Sequence, residues 1–430
     1  MTEERFDAII VGAGVAGSTA AYLLAKAGLE VVLIERGPYP GSKNLSGGVL
    51  YGRVLEQLFP NYWEEAPVER CITNNVVTFM TENAHFNLDF KTAAFEQRHN
   101  AYTVLRAKFD RWLADQAEAA GTMLVAGIKV DGLLKEDGRV VGVLAGDEEM
   151  RADVVIAADG AFSFITQDAG LREKPTSEET AIGVKQVIGL PREVIEERFR
   201  LNGSEGAAYA IVGWATRGVP GGGFLYTNLD SLSIGIVAPI AGLVKNKVKS
   251  GEMMEAFLHH PMIAAFVRGG KLLEYGAHIV PEGGLRAMPK LYGAGILAVG
   301  DAAGLGSNSG FVVRGMDLAI GSAMAAAETV IDAKGRGDFS EPSLAGYQER
   351  MDKSSVMADM RTYQRAPHFF QNPRMYTAYP ELIENIFTRI YEQEGQPKEH
   401  LLPMVMKARK ECNVSVFDLL RDAIEGIRAL

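Results

Sequence analysis

Residues 6–35 read FDAIIVGAGVAGSTAAYLLAKAGLEVVLIE, and the spacing inside that stretch decides the fold. Residues 6–11 are an apolar run suited to a buried parallel strand. Residues 16–27 form a helix rich in small side chains that Gly28 ends, and 31–34 (VVLI) form a second strand. Strand, helix and strand in about 30 residues is the mononucleotide-binding unit. Between the first strand and the helix lies Gly12-Ala13-Gly14-Val15-Ala16-Gly17. Gly12 permits the tight turn, Gly14 lets backbone N–H groups approach a pyrophosphate, and Gly17 lets the helix pack on the sheet. The helix N-terminus offers its partial positive charge to the phosphates. Glu35 closes the second strand, where an acid accepts hydrogen bonds from ribose hydroxyls and repels a 2′-phosphate, which disfavours NADP. Its plainer alternative is an exposed charge at a strand end.

The rest of the chain frames this unit. At 430 residues it is long enough for two or three domains. A net charge of −10 without a basic tract argues against a nucleic-acid partner. The 47 glycines exceed the ordinary share of roughly 7%, and many fall in short motifs where backbone must approach a ligand. Cys71 and Cys412 are the only cysteines, which excludes a disulfide framework, a redox-active pair and a self-contained iron–sulfur cluster. The seven histidines lack metal-ligand spacing, so no metal site is expected. The start MTEERF has no signal-peptide pattern, and no run reaches the roughly 18 apolar residues of a membrane span. A cytoplasmic protein, at most peripheral on a membrane, is expected.

Further along, 106–120 has amphipathic helical spacing, 138–144 and 153–158 read as a hairpin return and a buried strand, and 180–282 alternates apolar and polar residues between Gly-rich turns. That last region predicts a mostly antiparallel sheet with one helix at about 241–258. Residues 295–300 resume the parallel-strand style, and a small-residue helix follows at 313–331. The expected architecture is therefore α/β: a Rossmann-type dinucleotide domain (1–75, 101–179 and 284–345), an inserted sheet domain (76–100 and 180–283) and a helical C-terminal region (346–430). Tyr363, Phe369, Phe370, Tyr376, Tyr379, Phe387 and Tyr391 make that last region aromatic, as a partner surface or as helix packing.

Two aspartates sit at the carboxyl ends of buried strands, where open α/β sheets bind ligands. They are Asp159, in Asp159-Gly160, and Asp301, in Gly300-Asp301-Ala302. Each could bond the hydroxyls of a ribityl chain or merely make a turn. After Asp301, a Gly-rich loop at 304–310 precedes the helix whose N-terminus would favour negative charge on a reduced flavin. Gly310, Phe311 and Gly315 are the candidates for backbone beside the flavin ring. No second GxGxxG exists, so no nicotinamide domain is visible.

GxGxxG, DG and GD in this order, around an inserted sheet, resemble the FAD family of aromatic hydroxylases, geranylgeranyl reductases and electron-transfer-flavoprotein dehydrogenases. The resemblance implies FAD, with Asp301 on the ribityl O3′ and Arg106 near the pyrophosphate and ribityl; the alternative for Arg106 is a solvated helix start. Gly41-Ser-Lys43-Asn44-Leu-Ser-Gly47-Gly48-Val-Leu-Tyr51, AHIVPEGG at 277–284 and VRGMDLAIGSAMAAAET at 313–329 resemble FixC proteins and, more loosely, electron-transfer-flavoprotein:quinone oxidoreductases. By that likeness Arg36, Lys43, Asn44, Gly47 and Gly48 lie along the FAD, and Val130 meets the adenine through its backbone. It also implies electron transfer from an electron-transfer flavoprotein (FixA and FixB type) to FAD and on to a membrane quinone. Relatives of the quinone type carry a four-cysteine cluster module that this sequence lacks, so a separate ferredoxin-like subunit (FixX type) is implied. A reductase of isoprenoid double bonds and a non-catalytic FAD relay are the alternatives. The first is disfavoured because only Trp214 of the isoprenoid-cavity motif is present. No catalytic acid or base is nominated.

Overall fold

The structure is a computed structural model that describes residues 5–44, 47–395 and 397–430. Leu45 and Ser46 of the 41–51 stretch, and the first four residues, lie outside the described residues. The first strand, Arg5–Val11, occupies the middle of a mainly parallel sheet. It pairs in parallel with Val31–Glu35 on one side and Glu148–Ala157 on the other. Beyond these neighbours Met123–Ala126 and Ile296–Ala298 extend the sheet, also in parallel. Ala8, Ile9 and Ile10 are fully buried because both faces of the strand are covered, which is why its sequence is continuously apolar rather than alternating. Ala8, Ile10 and Leu33 face the helices Val15–Lys26, Arg106–Ala119 and Met316–Arg336. Ile9, Val32 and Ile34 face the opposite way, toward the antiparallel hairpin Gly132–Glu136 and Arg139–Ala145.

A second sheet of nine strands stands against the first. Its path begins at Lys271–Pro281 and passes through Thr180–Gly189, Ser231–Pro239, Gly222–Thr227 and Glu205–Gly213 to Val68–Met80, with Tyr102–Val104 and Gly48–Leu50 beyond. All pairings are antiparallel except that of Glu205–Gly213 with Val68–Met80. Val68–Met80 is one continuous strand, so it runs across the boundary expected between residues 75 and 76. Helices Arg192–Phe199, Ser250–His259 and Pro261–Val267 pack on the outer face of the sheet through Val184, Ile195, Ile234, Ile236, Phe257 and Ile263. With a period of two, Gly183 and Lys185 turn to the inner face. The single helix expected at about 241–258 is two, Ile240–Asn246 and Ser250–His259, because Lys247 takes a left-handed conformation (φ 51°) that ends the first.

The helix expected at 313–331 begins at Met316 and runs to Arg336; Val313–Arg314 instead pairs with Ser307–Asn308 as a small hairpin. In the C-terminal region most of the aromatics pack inward. Phe369 and Tyr376 are buried, Phe387 packs on Phe86 with ring centroids 4.9 Å apart, and only Tyr391 of the seven is exposed. The exposed apolar stripe lies elsewhere, on Val416–Ala429, where Phe417, Leu420, Ile424 and Ile427 recur at helical spacing. Asp422, on the other face of that helix, is nearly buried. It accepts hydrogen bonds from Arg374 (2.7 and 2.8 Å), Asn372 (2.8 Å), Tyr379 and Arg421. Burial opposes its charge, but these donors hold its carboxyl well below the usual carboxylate range. The last helix is thereby fastened to the 372–379 segment.

Candidate functional site

A cavity of about 2440 Å³ opens between the two sheets, at the carboxyl end of the parallel strands. It exceeds the roughly 300–1,000 Å³ of a drug-sized ligand site, so it has room for a dinucleotide and a second molecule. Of the expected cofactor residues, all line it except Ala13, Gly17, Gly300 and Ala302. Those four form the layer behind. Ala13 and Ala302 are fully buried, and the Gly300 N–H donates to Ser322 Oγ at 3.0 Å. A methyl group at Gly17 would sit 1.9 Å from the Gly12 carbonyl oxygen, so this glycine serves close packing of helix on turn.

The nucleotide end is built largely from backbone. Gly12 has φ +105°, and a Cβ there would fall 2.4 Å from the Ala158 carbonyl oxygen. A Cβ on Gly14, by contrast, would meet only Asn44 Nδ2 at 3.9 Å and an Arg106 guanidinium nitrogen at 4.0 Å. The space above Gly14 is thus a cradle capped by polar N–H groups at the start of helix Val15–Lys26, the donor set a pyrophosphate requires. Glu35 holds this loop in shape: its carboxylate accepts from the Ala13 N–H at 3.0 Å and the Gly37 N–H at 2.6 Å. Arg36 and Val130 line the same end of the cavity.

Arg106 is not a solvated helix start. Its guanidinium forks onto Asp110 at 2.7 and 2.8 Å, and the Asn44 amide donates to the same carboxylate. Asp110 is fully buried, so it fixes both donors over Gly14. The two strand-end aspartates differ. Asp159 is engaged in its own turn, accepting from Ser163 Oγ at 2.6 Å and the Ile165 N–H at 3.1 Å. The Asp301 carboxylate has no hydrogen-bond donor among the described residues and lines the cavity. Burial pushes it toward the protonated form, while the Arg106 charge opposes that shift. An acid placed so can accept from a hydroxyl-bearing ligand.

The facing wall comes from the second sheet and is made of side chains. Lys185 donates to the Gly47 carbonyl at 2.8 Å and lies 5.3 Å over the Phe224 ring. Burial, with Arg106 adding to it, lowers its pKa to about 8. His278, one strand over, is pushed down to about 4 by burial and by the charges of Arg106, Lys185 and Arg36. Glu282 is raised to about 7 by burial, against a hydrogen bond from Asn308. Beyond Gly310 the cavity is lined by Val212, Val237, Phe370 and Tyr376, and beside the last helix by Phe417, Leu420 and Ile424 together with the charged Arg365, Arg421, Glu425 and Arg428. Phe311 lines the cavity and is exposed. Asp110, Lys185, His278 and Glu282 were not among the expected residues. Asp110 stands four residues after Arg106, a spacing that pairs charges on a helix. Lys185 is the one charged residue of strand Thr180–Gly189. His278 and Glu282 fall within the AHIVPEGG stretch at 277–284, but nothing in its local pattern marks them out from their neighbours.

Comparison with known proteins agrees with this arrangement. Residues 5–202 match an FAD binding domain, and residues 366–430 match the ETF-QO/FixC family C-terminal domain. The probable electron transfer flavoprotein-quinone oxidoreductase YdiS of Escherichia coli K12 is 45% identical over 431 residues, covering all of both chains. Protein FixC of Salmonella typhimurium is also 45% identical, over 433 residues and again all of both chains. Among solved structures, a geranylgeranyl bacteriochlorophyll reductase-like protein of Thermoplasma acidophilum has a TM-score of 0.71 at 22% identity, covering 98% of this chain and 99% of its own. That likeness shows a shared fold. The FAD domain, the C-terminal family match and the full-length relatives together place the chain in the ETF-QO/FixC family of FAD-dependent oxidoreductases.

Proposed function

We propose that this chain takes electrons from an electron-transfer flavoprotein of the FixA and FixB type onto its FAD and delivers them to a membrane quinone. Two relatives carry electron transfer flavoprotein-quinone oxidoreductase in their names. The observation that carries the reading is the continuation of the cavity past the dinucleotide end between Val212, Val237, Phe370 and Tyr376, side chains that suit a hydrophobic second substrate. In this reading the pyrophosphate rests over Gly14 with Arg106 and Asn44, and the adenosine runs toward Glu35, Arg36 and Val130. Asp301 and Asp159 flank the ribityl chain, and the ring lies by Gly47, Gly48, Gly310, Phe311 and Gly315. Lys43 borders the phosphates. The flavin supplies exchange between two-electron and one-electron partners; the chain's own residues bind it, orient it and shield it from water.

With two cysteines the chain cannot supply the roughly four thiolates of a four-iron cluster. A ferredoxin-like subunit of the FixX type therefore completes the path, seated on the exposed stripe of Val416–Ala429. No helix among the described residues is long and apolar enough to cross a membrane, so the quinone is met at the membrane surface, with the chain peripheral to it. The test is co-expression with the flavoprotein and ferredoxin-like subunits, followed by iron analysis and quinone-dependent turnover of the purified complex. Turnover that is lost on flavin removal, with iron in the small subunit, is expected. Failure of the electron-transfer flavoprotein to reduce the FAD would overturn the reading. A quinone-active preparation without iron or small subunit would remove the cluster from the path.

A further inference from the structure

The inserted sheet contributes one cation whose position neither the dinucleotide fold nor the phosphates require. Lys185 lies on the cavity face of strand Thr180–Gly189, and among the described residues its ammonium has a single protein acceptor, the Gly47 carbonyl at 2.8 Å. Three N–H bonds on one nitrogen leave two directed elsewhere. The neighbouring Gly48 packs against Met316, the first residue of helix Met316–Arg336, whose Cε would be 3.2 Å from a Cβ at Gly48. Lys185 thus lines the cavity within reach of the Arg106 charge and beside the Gly47–Gly48 segment that touches the start of that helix. An FAD anchored over Gly14 with its ring by Gly47 and Gly48 would have Lys185 beside the ring.

We propose that Lys185 is a flavin-facing cation that raises the reduction potential of the bound FAD and ties that potential to pH. The proposal rests on the FAD assignment and on nothing further in the proposed reaction. A positive charge in a cavity wall of low dielectric favours the negative charge that two electrons and one proton leave on a flavin ring. The charged and titratable groups facing Lys185 are few. Arg106 and Arg36 carry fixed charges, Glu274 and His278 come from strand Lys271–Pro281, and Asp301 closes the cavity floor. Strand Ser231–Pro239, its other neighbour, brings no ionisable side chain. His278 is neutral from neutral pH upward. Burial and Arg106 hold Lys185 near 8, so it is charged at pH 7 and mostly neutral above 8. In the upper range Lys185 takes up proton from solvent as the ring gains its charge. Between the amine's pKa values in the oxidised and the reduced protein, two electrons then arrive with more than one proton, and the amine holds the excess.

The experiment is redox titration of the purified, FAD-loaded chain from pH 6 to 10, with mediators and no protein partner or quinone. The unsubstituted chain should take up one proton per two electrons near pH 7, about half a proton more between pH 8 and 9, and close to one again by pH 10. Lys185→Met should lower the reduced-to-oxidised ratio at a fixed potential by roughly tenfold at pH 7, about 30 mV for a two-electron couple. It should also abolish the change in proton stoichiometry. Lys185→Arg should keep the potential at pH 7 and lose the alkaline change, since guanidinium does not titrate there. A Lys185→Met protein with unchanged potential overturns the proposal, and so does weaker FAD binding without a shift in potential, which would make the lysine a phosphate anchor. If Lys185→Met retains no flavin, Lys185→Arg decides: persistence of the alkaline rise in proton uptake overturns the proposal. Loss of quinone turnover leaves this result standing, whereas absence of FAD from the unsubstituted chain sinks the assignment beneath it.

Discussion

The two walls of the cavity are made by opposite means. The nucleotide wall is shaped largely by side chains that are missing: Gly12, Gly14 and Gly17 leave the backbone bare, and the donors are peptide N–H groups and a helix end, joined by Arg106 and Asn44 over Gly14. The sheet wall is shaped by side chains that are present, with Lys185, His278 and Glu282 set among apolar neighbours. The first wall offers a fixed field to any dinucleotide, while the second carries groups whose charge changes with pH. Binding and tuning are thereby divided between two sheets, and substitutions in the two walls should fail in different ways.

The largest contrast lies within the first wall. Gly14→Val adds a side chain to open space, so the fold should survive while FAD retention weakens by on the order of a hundredfold, about 2.7 kcal/mol. Gly17→Ala places its methyl group 1.9 Å from the Gly12 carbonyl oxygen and should cost about 3 kcal/mol of stability by overpacking. Flavin absorbance after gel filtration and urea unfolding of the same samples separate the two. A fully yellow Gly14→Val protein would break the assignment of the cradle.

A smaller effect belongs to the second wall. Glu282 holds its proton up to about pH 7 in the folded chain, against an ordinary value of 4.5. Between those two values the folded state binds more protons than the unfolded one, so this residue lowers stability as pH rises through the window. Glu282→Gln cannot ionise. Its stability advantage over the parent should be absent at pH 4.5 and greatest above pH 7, read as the difference in urea midpoints. Parallel curves for the two proteins would show that Glu282 titrates normally.

The smallest effect on the isolated chain is expected at the last helix. Ile427 is exposed on it, and Asp422 anchors the opposite face. Ile427→Ser should change stability by no more than about 0.5 kcal/mol yet loosen the ferredoxin-like subunit by roughly tenfold. Sedimentation of the mixed subunits gives the answer. Unchanged association would remove the stripe from the interface.

The legibility of these regions in the sequence follows the same division. Gly12 and Gly17 stand out in the sequence because strand, turn and helix are contiguous there, and a Cβ at either would strike backbone. Arg106 was legible, but its partner Asp110 was overlooked although the i,i+4 spacing was in plain view. Lys185, His278 and Glu282 come together only through pairing between strands nearly a hundred residues apart, Gly183 opposite His278, and no local pattern encodes that register. The same holds for Gly48–Leu50 and Tyr102–Val104, short strands in the second sheet whose flanking helices suggested the first. For the C-terminal aromatics the sequence left partner surface and helix packing open: Phe369 and Tyr376 are buried and only Tyr391 of the seven is exposed, while the exposed apolar stripe lies on the last helix.

Glu35 has a kinetic side. Both of its carboxylate oxygens are already occupied by backbone N–H groups, one from the glycine turn and one from Gly37. The turn on which the proposed phosphates would rest is therefore drawn taut by the protein itself, as a bow is strung before the arrow is set. Little conformational freedom remains there to be lost when a nucleotide arrives, and the entropic cost of ordering a flexible glycine loop is met during folding instead of at binding.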